Sequence, residues 1–289
     1  MQAGNHSTIF CAQDVRRRFD RAADSFDDFD FVHRVTREGL LLRLEPMSIE
    51  VNTVLDLGCA TGAACKPLHR RFRGAHIIAL DVSARMLRRA ARRRSWFSRY
   101  SLLQAEAGAI PLANHSVDLV FCNQLLPWVT DATLLFAEVG RVLRSNGLFV
   151  FAALGPDSLG QLRDAWQGVD PGPHVNPFPD MHNFGDAAVR AGLRDPVLDV
   201  DRLRVSYTDA DALFRDLTGS GARNCLAGRR RSLTGKGRFR RMTAALPHVH
   251  GERVIELELE LVYGHCWGSG QRPTVGEFRI SPEGISRRS

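Results

Sequence analysis

The stretch "VLDLGCATG", residues 54–62, decides the fold, because a short apolar run ends in an acid and passes into a turn of small residues. The run 54–57 has the length and composition of a strand that is covered on both faces. Gly58 and Gly62 then allow a tight turn. The following "GAACKPLHRRF" (62–72) has helical spacing despite Pro67. The stretch therefore predicts a strand–turn–helix unit of an open α/β sheet.

Strand and helix patterns continue to alternate as far as residue 155. Further strands are predicted at 76–82, 100–107, 117–123 and 147–154, with helices at 84–94 and 131–143. This alternation predicts a parallel, doubly wound sheet. Helical spacing also marks 12–24 and 33–45, ahead of the first strand. Residues 51–155 are thus expected to form a central core, with 1–50 as a helical segment in front of it.

Beyond residue 155 the pattern is less regular. "RVIELELELVY" (253–263) alternates strictly, with apolar residues at 255, 257, 259 and 261 and glutamates between them. Such alternation predicts a half-exposed strand near a sheet edge. Paired antiparallel with a strand at 196–207, it would complete a seven-stranded, mostly parallel sheet. One domain with an elaborated C-terminal half, 156–289, is the simplest division.

Asp56 decides between two classes of cofactor. In an open α/β sheet the ligand binds beyond the carboxyl ends of the strands, so the loop after Asp56 is a binding loop. A dinucleotide turn reads G-x-G-x-x-G, which Gly58–Gly62 does not match. A carboxylate would repel the pyrophosphate of NAD, whereas S-adenosylmethionine carries an ammonium and a sulfonium and no phosphate. The sequence therefore favours S-adenosylmethionine.

Other candidate contacts lie at the same edge of the sheet. Asp81 ends the second strand, 25 residues after Asp56, where an acid can accept hydrogen bonds from both ribose hydroxyls. Asn123 ends the fourth strand and is expected to line the site of methyl transfer. This arrangement fits a Rossmann-like class I methyltransferase. We expect the cofactor to be bound by Asp56, Gly58, Ala60, Gly62, Asp81, Met86, Glu106 and Asn123.

Two of these positions have an open alternative or rest on resemblance. Met86 is as well explained as part of a helix core. The stretch around Glu106 resembles class I methyltransferases, which usually have an aspartate at this position. In those enzymes the aspartate reaches the adenine amino group of the cofactor. Glu138 and Arg141, three residues apart on a predicted helix, are interpreted as a structural pair.

The composition is that of an ordinary soluble globule, with 44% hydrophobic and 25% charged residues. The sequence shows neither a membrane-spanning run nor the apolar core of a signal peptide, so we expect a cytoplasmic location. The cysteines have no C-x-x-C spacing, which argues against a zinc site or a disulfide framework and predicts reduced, mostly buried thiols.

The net charge of +7 is concentrated in two stretches. One is the arginine-rich segment 85–99. The other, "RNCLAGRRRSLTGKGRFRR" (223–241), holds eight cations and no acid. Such clusters attract nucleic acid or an acidic protein, although a solvated face is the alternative for the first.

From about residue 14 to 268, the chain resembles the malonyl-acyl-carrier-protein O-methyltransferase (BioC) family. "LDLGCATG" and "VDLVFCNQLLPWVTD" are general to methyltransferases, whereas "GPDSLGQLRDAW", "HVNPFPDMHNFGD" and "YGHCWG" are the specific part. The resemblance implies methyl transfer from S-adenosylmethionine to the free carboxyl of malonyl-acyl carrier protein, in biotin biosynthesis. It also implies a lid over 1–50, a cofactor-binding core over 51–155 and a substrate and carrier-protein part over 156–289.

That reaction needs no general base, since a malonyl carboxylate is already ionised at pH 7. We expect instead an arginine that holds the carboxylate, and the candidates on the first helix are Arg17, Arg18 and Arg21. Acyl carrier proteins are acidic, so the basic stretch is expected to steer them through Arg229, Arg230, Arg231 and Arg238. Neither nucleic acid nor a membrane is then a partner. The loop with His174, Asp180 and His182 is interpreted as a lid without metal.

Two departures from the family pattern stand out. Ala60 replaces the second glycine of the usual GCGTG loop, which is tolerable at an ordinary backbone angle, and Phe26 stands where a tyrosine is common. Three alternative functions stay open. They are a relative that hydroxylates an arginine in complex I assembly, a methyltransferase of a quinone or lipid intermediate, and a non-catalytic partner that kept the fold and lost the cofactor.

Overall fold

The computed structural model describes residues 10–94, 100–230, 232–249 and 254–269. The helices are α1 (Ala12–Ala22), α2 (Phe31–Leu44), α3 (Cys65–Arg71), α4 (Ala84–Arg92), α5 (Ala132–Val142), α6 (Gly160–Gln167), α7 (Met181–Arg190), α8 (Ala210–Gly219) and α9 (Lys236–Ala245). The strands are β1 (Thr53–Leu57), β2 (His76–Asp81), β3 (Tyr100–Gln104), β4 (Val117–Asn123), β5 (Leu143–Leu154), β6 (Arg194–Tyr207) and β7 (Ile255–Trp267).

The strands form one seven-stranded sheet in the order β3-β2-β1-β4-β5-β7-β6. β1 to β5 pair in parallel, and β7 pairs antiparallel with both β5 and β6. The predicted seven-stranded, mostly parallel sheet with a late antiparallel strand is therefore confirmed. β6 forms the edge, and β7 lies one place in from it. The order reverses between β1 and β4, where a ligand of this fold binds.

Helices cover the sheet on both faces. α2, α3 and α4 bury Leu40, Leu68 and Leu87 in one core, whereas α5 and α7 bury Phe136 and Phe184 in the other. The strand residues alternate between these two cores, as in a sheet that is packed on both sides. None of the helices in these described ranges combines the length and the apolar character that crossing a membrane requires.

The C-terminal half adds a third core beside the sheet. α6, α8 and α9 pack together with the start of β7 through Leu162, Leu213, Met242 and Ile255. No helix was predicted where α9 lies, because its cations obscure a short apolar stripe. Phe239, Met242 and Leu246 repeat at helical spacing and face this core. The basic stretch is therefore partly ordered by its own apolar residues.

Candidate active site

A cavity of about 260 Å³ lies at the carboxyl ends of β1, β2 and β4. We call it the strand-end cavity. The predicted cofactor positions on its wall are Gly58, Ala60, Asp81, Glu106 and Asn123. The parallel strands bring these residues together because their carboxyl ends meet at the same edge.

Three predicted cofactor positions are not among the residues lining this cavity. Asp56 is buried, with 2% of its surface exposed, and lies two residues before Gly58. Gly62 is also buried, in a left-handed conformation against Ala90. Met86 is fully buried and packs with Ala23 and Phe26. These are the contacts expected of a residue in a helix core, the alternative that the sequence left open.

The two acids at the strand ends have raised pKa values. Burial raises the pKa of Asp56 to about 7. The thiol of Cys65, 3.6 Å from Oδ2, partly offsets this increase, whereas the neighbouring Asp81 carboxylate adds to it. Burial also raises the pKa of Asp81 to about 6, although the backbone N–H groups of Ser83 and Ala60 donate to its two oxygens at 2.8 and 2.9 Å. Both acids therefore favour a cationic or hydroxyl-bearing ligand over an anion.

Ala60 adopts φ +47°, in the left-handed region that favours glycine. The methyl group of Ala60 was expected to be tolerable at an ordinary backbone angle, and the observed angle is not ordinary for alanine. The side chain contacts the small cluster of Ala23, Phe26 and Met86 and borders the strand-end cavity. The loop thus keeps the backbone of a glycine-containing turn while carrying a methyl group.

The N-terminal helices cover the strand-end cavity. Ala12, Val15 and Phe19 of α1 line it, together with Phe26 from the short 3₁₀ turn Phe26–Asp28. Acids on this segment bind the turn 58–62, which we call the cofactor loop, and the start of α4. The Thr61 hydroxyl donates to Asp27 at 2.6 Å, and the Ser83 hydroxyl donates to Asp20 at 2.6 Å. Arg93 adds an ion pair of 2.7 Å to Asp27.

A second cavity, of about 500 Å³, lies beside the first and is formed largely by the C-terminal half. We call it the C-terminal cavity. Its walls are mainly apolar, with Leu154, Leu159, Leu162, Val205, Phe214, Leu257 and Leu259. His33, Gln124 and Trp128 line both cavities. The two cavities therefore adjoin at these three side chains.

Several polar atoms at this boundary have no partner. Among the described residues, Nδ1 of His33, Oδ1 of Asn123 and Nε2 of Gln124 are buried without a hydrogen bond. The Asn123 amide donates through Nδ2 to the His33 carbonyl, at 2.8 Å. Burial, with the nearby Arg37 cation, lowers the pKa of His33 to about 4, so that its ring is neutral at pH 7. Sequence reasoning identified Asn123 and missed the other two.

The three candidate carboxylate-binding arginines occupy different surroundings. Arg18 lines the C-terminal cavity, and its Nη2 donates to the Asn224 carbonyl at 2.6 Å. Arg17 is exposed beside Asp14, and Arg21 is exposed. Neither of these two is among the residues that line the two cavities.

The partner-binding arginines are mostly engaged within the chain. Arg229 lines the C-terminal cavity and pairs with Asp14 of α1 at 2.8 Å. Arg230 and Arg238 lie 3.3 and 3.4 Å from the same oxygen of Asp170. Arg231 lies outside the described residues. Arg223, which also lines the cavity, has no ion pair with any described residue and is exposed.

The loop that was interpreted as a lid without metal makes the following contacts. The His174 ring stacks on Trp166 at 3.8 Å. Asp180 caps α7 by accepting the N–H of His182, whose side chain is exposed. No group of three or more metal-ligating side chains occurs in the part of the chain that the structure describes. The six cysteines are free, and all but Cys11 are buried.

The fold, the cavity at its switch point and the acids on its strand ends define a class I methyltransferase. A family model described as a methyltransferase domain matches residues 55–151. A solved phosphoethanolamine N-methyltransferase 2 from Haemonchus contortus, in complex with S-adenosylhomocysteine, has a TM-score of 0.54 at 14% identity, over 87% of this chain and 58% of that one. This fold and domain imply S-adenosylmethionine as the methyl donor.

More similar relatives identify the family. A malonyl-[acyl-carrier protein] O-methyltransferase from Halorhodospira halophila is 38% identical over 95% of this chain and 95% of its own length. One from Laribacter hongkongensis is 39% identical over 90% of each chain. The chain therefore belongs to the malonyl-[acyl-carrier protein] O-methyltransferase family, as its sequence pattern indicated.

Proposed function

We propose that this enzyme methylates the free carboxylate of a malonyl thioester carried on an acyl carrier protein, with S-adenosylmethionine as donor, in biotin biosynthesis. The observation that carries the proposal is the pair of adjoining cavities. One is suited to the cofactor and the other to an acyl thioester with its long prosthetic arm, and His33, Gln124 and Trp128 form their common wall.

The strand-end cavity fits S-adenosylmethionine in its polar groups. Each Asp81 oxygen accepts one backbone N–H and keeps a further lone pair for a ribose hydroxyl. The unpartnered Oδ1 of Asn123 is suited to accept from the ammonium of the methionine part. Asp56 adds negative charge behind the loop in a region of low dielectric, where charges interact strongly. Glu106 is exposed on the wall and is assigned to the adenine end.

The reaction depends on positioning. When bound, S-adenosylmethionine supplies a methyl group on a positively charged sulfur. The cavity residues would have to hold a carboxylate oxygen in line with that methyl group, and because the carboxylate is already ionised, its methylation would need no proton transfer. Holding the reacting atoms about 3–3.5 Å apart, with water excluded, supplies most of the acceleration. The apolar walls and the covering helices provide that exclusion. Residues 10–44 therefore act as a lid.

One experiment tests this function. The purified protein is titrated with S-adenosylmethionine and then incubated with malonyl- and acetyl-acyl carrier protein. We expect cofactor binding and a mass gain of one methylene unit on the malonyl form alone. Methylation of neither carrier overturns the proposal, and methylation of a quinone or lipid instead supports the small-molecule alternative.

Two further outcomes bear on the remaining alternatives. Absence of cofactor binding would indicate a non-catalytic partner that kept the fold, an alternative for which Ala60 in the cofactor-binding turn is the sequence hint. Hydroxylation of a protein arginine would indicate the assembly-factor relative. The cytoplasmic location stays a prediction, to be checked by cell fractionation.

A further inference from the structure

Gln124 combines two features that are costly for a protein to keep. Only 5% of its surface is exposed, and Nε2 of its side chain is buried without a hydrogen bond to any described residue. A buried donor without a partner destabilises the folded protein, because it has lost its hydrogen bonds to water. Its backbone also has φ +58°, in the left-handed region. Buried, unsatisfied and strained residues of this kind concentrate at ligand-binding sites.

The position of Gln124 limits what the ligand is. The residue follows Asn123 at the end of β4, and its own N–H is held by the Ala152 carbonyl at 2.8 Å, so the backbone is fixed and the side chain is the free part. It lines both cavities. The group that meets its amide therefore lies where the cofactor and the acceptor substrate meet.

We infer that Gln124, assisted by the ring of His33, is the donor that holds the acceptor carboxylate of the substrate in line with the methyl group. This inference rests on the proposed function. A carboxylate only accepts hydrogen bonds, and both side chains can donate to it. Nδ1 of His33 is buried without a hydrogen-bond partner among the described residues, and the ring lies edge-on to Phe26, at 4.9 Å between centroids.

Neutral donors suit this reaction better than the arginine that the sequence suggested. A guanidinium paired with the carboxylate would stabilise the anion before transfer, and this stabilisation would be lost as the charge disappears. Interactions that favour the ground state do not accelerate the chemical step. An amide and a neutral imidazole fix the direction of the carboxylate and leave its charge to react with the sulfonium.

The test separates carboxylate recognition from cofactor and carrier binding. Complexes with S-adenosylhomocysteine are prepared, and the Kd values of malonyl- and acetyl-acyl carrier protein are measured for the wild type and for Gln124→Leu. We expect the malonyl Kd to rise about 10- to 100-fold, the acetyl Kd to stay within about twofold, and kcat/KM to fall at least as far as the malonyl affinity. His33→Phe, which keeps the ring and removes both nitrogens, is expected to act in the same direction.

A matched control is Gln161→Leu, because Gln161 lines neither cavity and its side-chain oxygen accepts the Glu258 N–H. It should leave both carrier affinities unchanged. Equal loss of malonyl and acetyl affinity in Gln124→Leu overturns the inference, as does unchanged malonyl affinity. An unchanged cofactor Kd shows that the variant is folded. Failure of the wild type to methylate malonyl-acyl carrier protein rejects the proposed function itself, which is a different result.

Discussion

Two opposing effects determine how Ala60 contributes to stability: its left-handed backbone favours glycine, and the packing of its methyl group favours alanine. At φ +47° an L-residue is less favourable than glycine by about 1–2 kcal/mol, whereas glycine costs about 0.4–1 kcal/mol more entropy on folding. We therefore expect Ala60→Gly to stabilise the protein by about 0.5–1 kcal/mol and to bind S-adenosylmethionine at least as tightly. Denaturant unfolding and calorimetric titration measure the two effects.

The opposite exchange at Gly62 provides the control. Gly62 has φ +76°, and an added Cβ would lie 3.0 Å from the Cβ of Ala90, so Gly62→Ala should destabilise the protein by about 1–3 kcal/mol. A loss of stability in Ala60→Gly would show that the methyl contact with Phe26 and Met86 outweighs the backbone preference.

We expect Asp56 to make cofactor binding depend on pH. Its pKa of about 7 in the free protein means that much of it is protonated below neutrality, and a cationic ligand favours the ionised form. Binding therefore releases a proton below about pH 7. The affinity should fall by up to about tenfold per unit as the pH decreases from 7, and level off above pH 8. Calorimetry in two buffers of different ionisation enthalpy counts the released protons.

Asp56→Asn isolates this effect. The variant cannot ionise at this position, so its affinity should be lower at pH 8 and nearly constant between pH 6.5 and 8. A pH slope equal to that of the wild type would assign the proton to another group, of which Asp81, with a pKa of about 6, is the nearest in character.

What the sequence reveals about single residues depends on how local their role is. Asp81 and Asn123 were predictable because each ends a strand, and strand ends in this fold meet at one edge. Gln124 is the very next residue, but its burial and its left-handed backbone depend on neighbours from β5 and α2. His33 lies in an ordinary helical pattern. No local pattern distinguished either side chain from its neighbours.

At the scale of elements, acids on the N-terminal segment hold it against the cofactor loop. Removing two of them, in Asp20→Ala with Asp27→Ala, breaks the hydrogen bonds to Ser83 and Thr61 and the ion pair to Arg93. We expect S-adenosylmethionine to dissociate at least about tenfold faster, since each lost contact of this kind contributes about 1 kcal/mol. Amide exchange in α1 should increase, and stopped-flow displacement measures the rate.

The matched control removes an acid from another ion pair. Asp199→Ala breaks the 2.7 Å pair with Arg43, which joins α2 to β6 away from the strand-end cavity. It should leave cofactor dissociation unchanged. If the double variant also leaves it unchanged, the segment does not act as a lid.

Helices and strands could be predicted from the sequence where apolar and polar residues followed one clear period. β7 was identified from its strict alternation, and the pairing of two late strands followed from it. α9 was missed because cations and two glycines surround its three apolar positions, and only the core of α6 and α8 gives those positions a partner. Tertiary packing, which single-sequence patterns do not contain, decided that element.

At the scale of the whole molecule, the C-terminal cavity was beyond sequence reasoning. Its walls come from α2, the end of β5, α6, β6, α8, β7 and several loops, so no single motif describes it. The sheet order could be anticipated from the alternation of strands and helices, since connection rules leave few topologies. The volume and apolar lining of the cavity depend on how distant segments pack.

We expect the position of the arginines, and not the net charge of +7 alone, to control the encounter with an acidic carrier. Arg223 and Arg230 are exposed and line the C-terminal cavity. Arg230 also lies 3.3 Å from Asp170, and the less exposed Arg229 pairs with Asp14. Arg223→Gln with Arg230→Gln should therefore raise KM for malonyl-acyl carrier protein about fivefold. The salt dependence of kcat/KM should weaken, while kcat and the cofactor Kd stay the same.

The control, Arg88→Gln with Arg92→Gln, removes the same charge from α4, where both arginines are exposed and line neither cavity. Equal effects from the two pairs would show that only net charge matters, and no effect from the first pair would reject steering by this surface.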